Sequence, residues 1–155
     1  MDKLITVREA IISDSDKISQ FNINMAWETE EKKLDKEIIS AGVISLFQKP
    51  EYGFYMVAEA GSEVAASLMI TKEWSDWRNG LFWWIQSVYV KPAFRRQGIY
   101  RAMYEAVLKL AMNHPEVCGC RLYVEKENVK AQKTYESLGM TETHYKMYEE
   151  VFDKN

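Results

Sequence analysis

The residues of this chain best suited to chemistry lie in one stretch, Ser87 to Arg101, which reads S-V-Y-V-K-P-A-F-R-R-Q-G-I-Y-R. Trp83 to Val90 is rich in β-branched and aromatic residues, which predicts a strand. Pro92 cannot donate to a ladder and biases Lys91 towards an extended backbone, so that strand should stop there. Ile99, Ala102, Met103, Ala106, Val107 and Leu110 then recur at helical spacing. Between strand and helix stand Arg95, Arg96, Gln97 and Gly98, with Arg101 in the first helical turn. The first turn of a helix leaves N–H groups unpaired and carries partial positive charge. Gly98 lets backbone approach closely and the arginines add charge, so the combination could hold a pyrophosphate. A helix that merely starts after a loop, with solvated arginines, would use the same residues, because short glycine motifs are weak evidence.

A second group follows at Asn128, which can cap a helix carrying Val129, Ala131, Gln132, Tyr135 and Leu138 and closed by Gly139. Asn128 and Tyr135 are two helical turns apart and share a face. Carboxylates suited to proton transfer are Glu28 and Glu30 after the first helix, and Glu73 and Asp76 in the K-E-W-S-D-W segment. Solvated loop charge accounts for these equally well. Aromatic faces beside acids suit a cationic amine, and Trp27, Trp74, Trp77, Trp83 and Trp84 supply such faces. Trp83 and Trp84 are adjacent on a strand, so they face opposite sides and at least one belongs in the core.

The elements that must position these groups are legible along the chain. Leu4 to Arg8 predicts a strand, and Ser13 or Asp14 can cap a helix carrying Ile18, Phe21, Ile23, Met25 and Trp27. Leu34 to Phe47 predicts a second helix, ended by Pro50. Tyr55–Ala60 and Val64–Thr71 flank Gly61-Ser62 and predict a hairpin. Lys72 to Gly80 predicts a connection closed by Asn79-Gly80, and Val117 to Glu125 a strand after Pro115. Met140 to Phe152 predicts two short strands or one bent one. The order β-α-α-β-β-β-α-β-α-β-β argues an α/β (α+β) fold with a mixed central sheet and helices on both faces.

With 155 residues, 47% hydrophobic and 28% charged, the chain predicts one ordinary globular domain, 1–155. A net charge of −3 supplies no basic field for nucleic acid. No apolar run resembles a leader or a membrane span, so a cytoplasmic protein without membrane attachment is expected. Cys118 and Cys120 alternate on a strand and lack zinc-ligand spacing, so they are expected to behave as small hydrophobes and no metal is expected.

The turn at Arg95, Gly98 and Tyr100, with V-Y-V-K-P before it and N-V-K-A-Q-K-T-Y-E-S-L-G-M after it, resembles the coenzyme A signature R/Q-x-x-G-x-G/A of the GNAT (general N-acetyltransferase) superfamily. Tyr100 stands where that family usually has glycine or alanine. The resemblance implies a GNAT-like, mostly antiparallel sheet and an N-acetyltransferase using acetyl-CoA. Main-chain N–H groups from Arg96 through Gln97, Gly98, Ile99 and Tyr100 to Arg101 would hold the pyrophosphate. Val88, Tyr89 and Val90 would pair with the pantetheine arm along an open strand edge, splayed from a strand near Leu122 to Val124. The Val88 N–H would then be the oxyanion donor.

By the same resemblance Asn128 and Ala131 contact the donor, and Tyr135 is the general acid for the leaving thiolate. Gln86 occupies the position where many relatives have a glutamate base, so it could only orient the amine or a water. Trp27, Glu28, Glu30, Glu73, Trp74, Asp76 and Trp84 would border a small-molecule or peptide amine, and a homodimer is expected. A plain cap for Asn128 and a core ring for Tyr135 are the structural alternatives. At the level of the whole chain the alternative is a non-catalytic acyl-CoA-binding module; the missing Walker lysine and G-x-G-x-x-G argue against a nucleotide site.

Overall fold

Apolar alternation and helical periodicity resolve into a five-stranded sheet in the computed structural model, which describes residues 4–154. The strands are β1 (Ile5–Glu9), β2 (Gly53–Ala60), β3 (Glu63–Ser75), β4 (Gly80–Val90) and β5 (Val117–Arg121), in that spatial order. Neighbours pair antiparallel except β4 and β5, which are parallel. The helices are α1 (Ser15–Glu30), α2 (Lys36–Gln48), α3 (Ile99–Met112) and α4 (Val129–Ser137). Two compact units result, one ending at Tyr123 and the other beginning at Val124. No helix among the described residues is long and apolar enough to cross a membrane.

In the first unit, α1 and α2 cover one face of the sheet. Ile18 and Phe21 of α1, Val43 of α2 and Tyr55, Val57, Val64 and Tyr89 of the strands form one buried cluster. The intervening strand residues point the other way, towards α3, which packs on β1, β2, β4 and β5. Of the stripe read from sequence, Ile99, Met103 and Val107 are buried and Ala102, Ala106 and Leu110 half-buried. Trp83 is the buried member of its pair, packed edge-on to Phe54 at 5.2 Å.

The hairpin turns at Gly61-Ser62, where Gly61 is left-handed (φ 64°). Asp35 caps α2 by accepting from the N–H groups of Glu37 and Ile38 at 2.9 and 3.1 Å. Several boundaries differ from expectation. α1 continues through Glu30 until the left-handed Glu31 (φ 51°) ends it, so Glu28 and Glu30 stand on a helix, not a loop. β3 extends to Ser75 because β4 gives it a partner, Trp74 lying opposite Leu81. That puts Glu73 and Trp74 on a strand. β5 stops at Arg121, where its pairing with β4 ends.

The two strands expected beyond α4 are not formed: residues 140–154 carry no strand among the described residues, and from Thr141 on they are exposed. Strand-like sequence forms a strand only when a neighbouring backbone completes the ladder. Cys120 is half-buried and its thiol is pushed up by burial, in keeping with a small hydrophobe. Cys118 is exposed, against expectation, because β5 is the outermost strand and little covers that position.

Asp14 stands at the N-cap of α1, but its carboxylate serves another purpose. It accepts from Arg8 Nη1 and Nη2 at 2.9 and 3.1 Å and from the Ile11 N–H at 2.8 Å, while Arg8 Nε also reaches Glu59. The Arg8 hydrogen bonds hold the Asp14 carboxyl below the usual carboxylate range despite its burial. A depressed folded-state pKa contributes stability that is complete above the unfolded value near 4 and disappears as pH falls through the folded one. Asp14→Asn should therefore cost about 1–3 kcal/mol at neutral pH. Urea unfolding below about pH 4 should show the variant losing less stability than the wild type, and parallel pH profiles would refute this linkage.

Candidate active site

The site begins with a break in strand alternation. Ser67 lies opposite Tyr89 and Met69 opposite Gln86, so Ser87 and Val88 together face the single residue Leu68. Ser87 takes a left-handed backbone (φ 52°) to make this bulge. Strict alternation would put Tyr89 on the face opposite Gln86. The extra residue brings it back to the same face, where its ring meets Phe21 at 5.1 Å.

β4 also leaves β5 here. Their pairing ends at Trp84 and Arg121, so Ile85 to Val90 run on with β3 on one side and no strand on the β5 side among the described residues. The resemblance implied a splayed edge at Val88 to Val90 beside a strand near Leu122 to Val124; here the edge opens at Ile85 and β5 has already ended at Arg121. Beyond Lys91 a single 3-10 turn (Pro92–Phe94) leads to Arg95, and then Arg96 and Gly98 are both left-handed (φ 64° and 78°). The first α3 hydrogen bond closes from the Ala102 N–H to the Gly98 carbonyl at 3.0 Å. The N–H groups of the turn before it have no carbonyl within the helix to reach. Left-handed residues turn successive N–H groups into a concavity suited to an anion.

Side chains at this turn divide in two. Arg96, Gln97, Gly98 and Arg101 are exposed, with Arg101 only 3.9 Å from Glu105 in an i,i+4 pair. Arg95 instead donates Nε to the Val90 carbonyl at 2.8 Å and Nη2 to Glu28 at 2.8 Å. Ile99 is buried and Val88 half-buried, so Ile99 can offer a ligand only its backbone.

On the α1–α2 face a polar stripe crosses the three strands. Gln86 Nε2 donates to Thr71 Oγ1 at 2.6 Å, which leaves its carbonyl oxygen as an acceptor. Glu73 Oε1 accepts from both Trp84 Nε1 (3.0 Å) and Arg121 Nη1 (2.8 Å), and Arg121 stacks 3.6 Å from the Phe82 centroid. Glu73 is thus engaged by an arginine. Trp84 is half-buried and lies 6.1 Å from Tyr123. Trp27, Trp74, Glu30 and Asp76 are exposed. Sequence reasoning missed Thr71 and Arg121, which carry no motif, and the left-handed backbone of Ser87 within the stretch it did single out; these follow from the fold alone.

The second unit holds the remaining residues. Asn128 caps α4, its side-chain oxygen accepting from the Ala131 N–H at 3.1 Å. Its amide nitrogen stays available for donation. Gln132 fastens the preceding loop through the Glu125 and Lys126 carbonyls at 3.1 and 2.9 Å. Tyr135 is half-buried, two turns along from Asn128.

A mixed sheet whose fourth strand is bulged, splayed and followed by a left-handed turn into α3 is the fold of an acetyltransferase. The chain belongs to the acetyltransferase (GNAT) family, whose model matches residues 14–140. Among solved structures, a possible acetyltransferase from Clostridium difficile 630 is 45% identical, with a TM-score of 0.90, over 98% of this chain and 100% of that one. A predicted acetyltransferase with acetyl-CoA from Clostridium acetobutylicum shares the fold at TM-score 0.76 and 15% identity, covering 95% and 96% of the two chains. Glucosamine-6-phosphate N-acetyltransferase from Arabidopsis thaliana does so at 0.72 and 19%, covering 97% and 100%. The search of curated proteins returned no match.

The left-handed Ser87 gives a direct test of the bulge. Ser87→Gly should keep stability within about 0.5 kcal/mol, whereas Ser87→Val should lose about 1–3 kcal/mol, because β-branched residues rarely adopt this conformation. Equal urea midpoints for the two variants would refute the strained geometry.

Proposed function

We propose that the protein is an N-acetyltransferase that moves an acetyl group from acetyl-CoA directly to a primary amine of a small molecule or peptide. The observation that carries this reading is the open β4 edge from Ile85 to Val90 running into the left-handed turn and the N-terminus of α3. At about 3.3 Å per residue that edge is long enough to pair with the two amides of a pantetheine arm. The N–H groups from Arg96 to Arg101, with the Arg96 and Arg101 side chains, fit a diphosphate. On this reading the whole chain is one catalytic domain, supported by the family match crossing the boundary between the two units.

Acetyl-CoA supplies an activated thioester. As the amine nitrogen attacks its carbonyl carbon, the Val88 N–H donates to the carbonyl oxygen where charge builds. Gln86 accepts from the amine or from a water that carries its proton away; an amide cannot itself be the base. The C–S bond breaks and Tyr135 gives its phenolic proton to the sulfur; free phenols are slightly weaker acids than free thiols, so the step is modestly uphill. The support for Tyr135 is its N-x-x-A-x-x-x-Y position on a formed, capped helix. Asn128 and Ala131 would hold the arm from that helix. Trp84 with exposed Trp27, Trp74, Glu30 and Asp76 would meet the cationic amine.

One observation favours a second reading, a non-catalytic acyl-CoA-binding module: Gln86 is bound to Thr71 and Glu73 to Arg121, so neither stands as an evident base. Acetyl-CoA offered with polyamines, amino acids, aminoglycosides and peptides, followed by thiol release, separates the two. Turnover with any amine is the expected result; tight binding without release across the panel would favour the module. In the enzyme, Tyr135→Phe should lower kcat by about 10²–10⁴-fold with little change in donor affinity. An unchanged rate would remove Tyr135 from the mechanism.

We further propose that the protein is cytoplasmic and forms a homodimer, the dimer being supported by the exposure of Tyr145, Met147, Tyr148, Val151 and Phe152 in a tail with strand-like sequence. Sedimentation should then give twice the 18.1 kDa chain mass. A monomer at micromolar concentration would overturn that assignment.

A further inference from the structure

The carboxylate of Glu28, in the last turn of α1, joins parts of the fold that are far apart in sequence. Its Oε2 accepts from Arg95 Nη2 at 2.8 Å and its Oε1 from the Tyr89 hydroxyl at 3.3 Å. The same guanidinium donates Nε to the Val90 carbonyl at 2.8 Å and lies 5.4 Å from the Tyr89 ring centroid. One arginine thus fastens the end of β4, the end of α1 and a core tyrosine. Tyr89 is 5% exposed, so the cluster is referenced to a part of the core that does not move freely.

Arg95 immediately precedes the left-handed Arg96. A non-glycine residue keeps that backbone only when its surroundings over-determine it. Gln97 Nε2 spans this turn to the Ala93 carbonyl at 3.1 Å, and the anchors of Arg95 fix the residue immediately before Arg96. An exposed ion pair alone contributes little, but this one is assisted by the part-buried Tyr89 hydroxyl and by its aromatic face.

We propose that Glu28 is a positioning residue for the acyl donor: acting through Arg95, it sets the turn whose N–H groups receive the diphosphate, so that α1 controls donor affinity from outside the donor site. This rests on the reading above that the turn holds acetyl-CoA. Arg95 is then a strut in the ligand-free protein, while Arg96 and Arg101 face the phosphates. Lysine cannot replace it, because a single ammonium lacks the planar fork that spans Val90 and Glu28 together.

Calorimetry with acetyl-CoA on the full chain tests this, using Glu28→Gln, Arg95→Ala, Arg95→Lys and the Glu28→Gln/Arg95→Ala double variant. Glu28→Gln should weaken binding about three- to fivefold, the scale of a partly exposed ion pair. Arg95→Ala should weaken it at least as much, Arg95→Lys should not restore it, and the double variant should be no worse than Arg95→Ala. Hydrogen exchange at the amides of Arg96, Gln97 and Gly98 in the ligand-free protein should quicken in each variant. A pantetheine fragment without phosphates should bind all of them like the wild type. Wild-type affinity in Glu28→Gln, or losses that simply add in the double variant, would overturn the proposal. Absence of any heat with the wild type would overturn the donor assignment itself, and this inference with it.

Discussion

A single extra residue in β4 determines the geometry of this protein. Ser87 and Val88 oppose only Leu68, and the left-handed turn at Ser87 rotates everything after it by one strand position. Because strand side chains alternate with a period of two, a shift of one residue exchanges the faces. Tyr89 therefore lies under α1 instead of on the α3 side, and its hydroxyl reaches Glu28. The bulge also comes just after β4 has parted from β5 at Trp84, so the open edge and the change of face coincide.

The face covered by α1 and α2 consequently has two characters. One half is apolar, where Ile18, Phe21 and Val43 pack on Tyr55, Val57 and Val64. The other is a polar stripe in which Thr71 holds Gln86, and Trp84 and Arg121 hold Glu73. Partly buried polar groups need partners, and these supply one another's. Gln86 is an amide and Glu73 is already engaged by Trp84 and Arg121, so the proposed mechanism takes the amine proton away through water.

Much of this was legible in the chain. The run from Trp83 to Leu110 carries three independent signals in order: β-branched alternation, proline with glycine, and a helical apolar stripe. Each depends on local backbone physics, and each element formed where it was read. The turn at Gly61-Ser62 belongs to the same category. Glu28, Glu30 and Glu73 were read into loops because charge density obscures a helix end and a strand end alike; tertiary pairing extended both elements. Residues 140–154 show the converse, strand-like sequence that forms no strand among the described residues. The motif at Asn128 and Tyr135 announced a capped helix, and Asn128 caps it.

The sequence by itself determined the order of elements through α4, the strand–turn–helix around Gly98 and the family, since these rest on residue types within a few positions of one another. It also assigned which member of the Trp83–Trp84 pair had to choose the core only as an either-or. Tertiary structure decided that choice, the register shift at Ser87, and the partners of Gln86, Glu73 and Arg95. Those depend on which strands and helices meet, over separations of up to 67 residues between Glu28 and Arg95. Local propensity cannot encode a meeting of that kind, because the free energy that fixes it is gained only when the whole sheet has closed around its core.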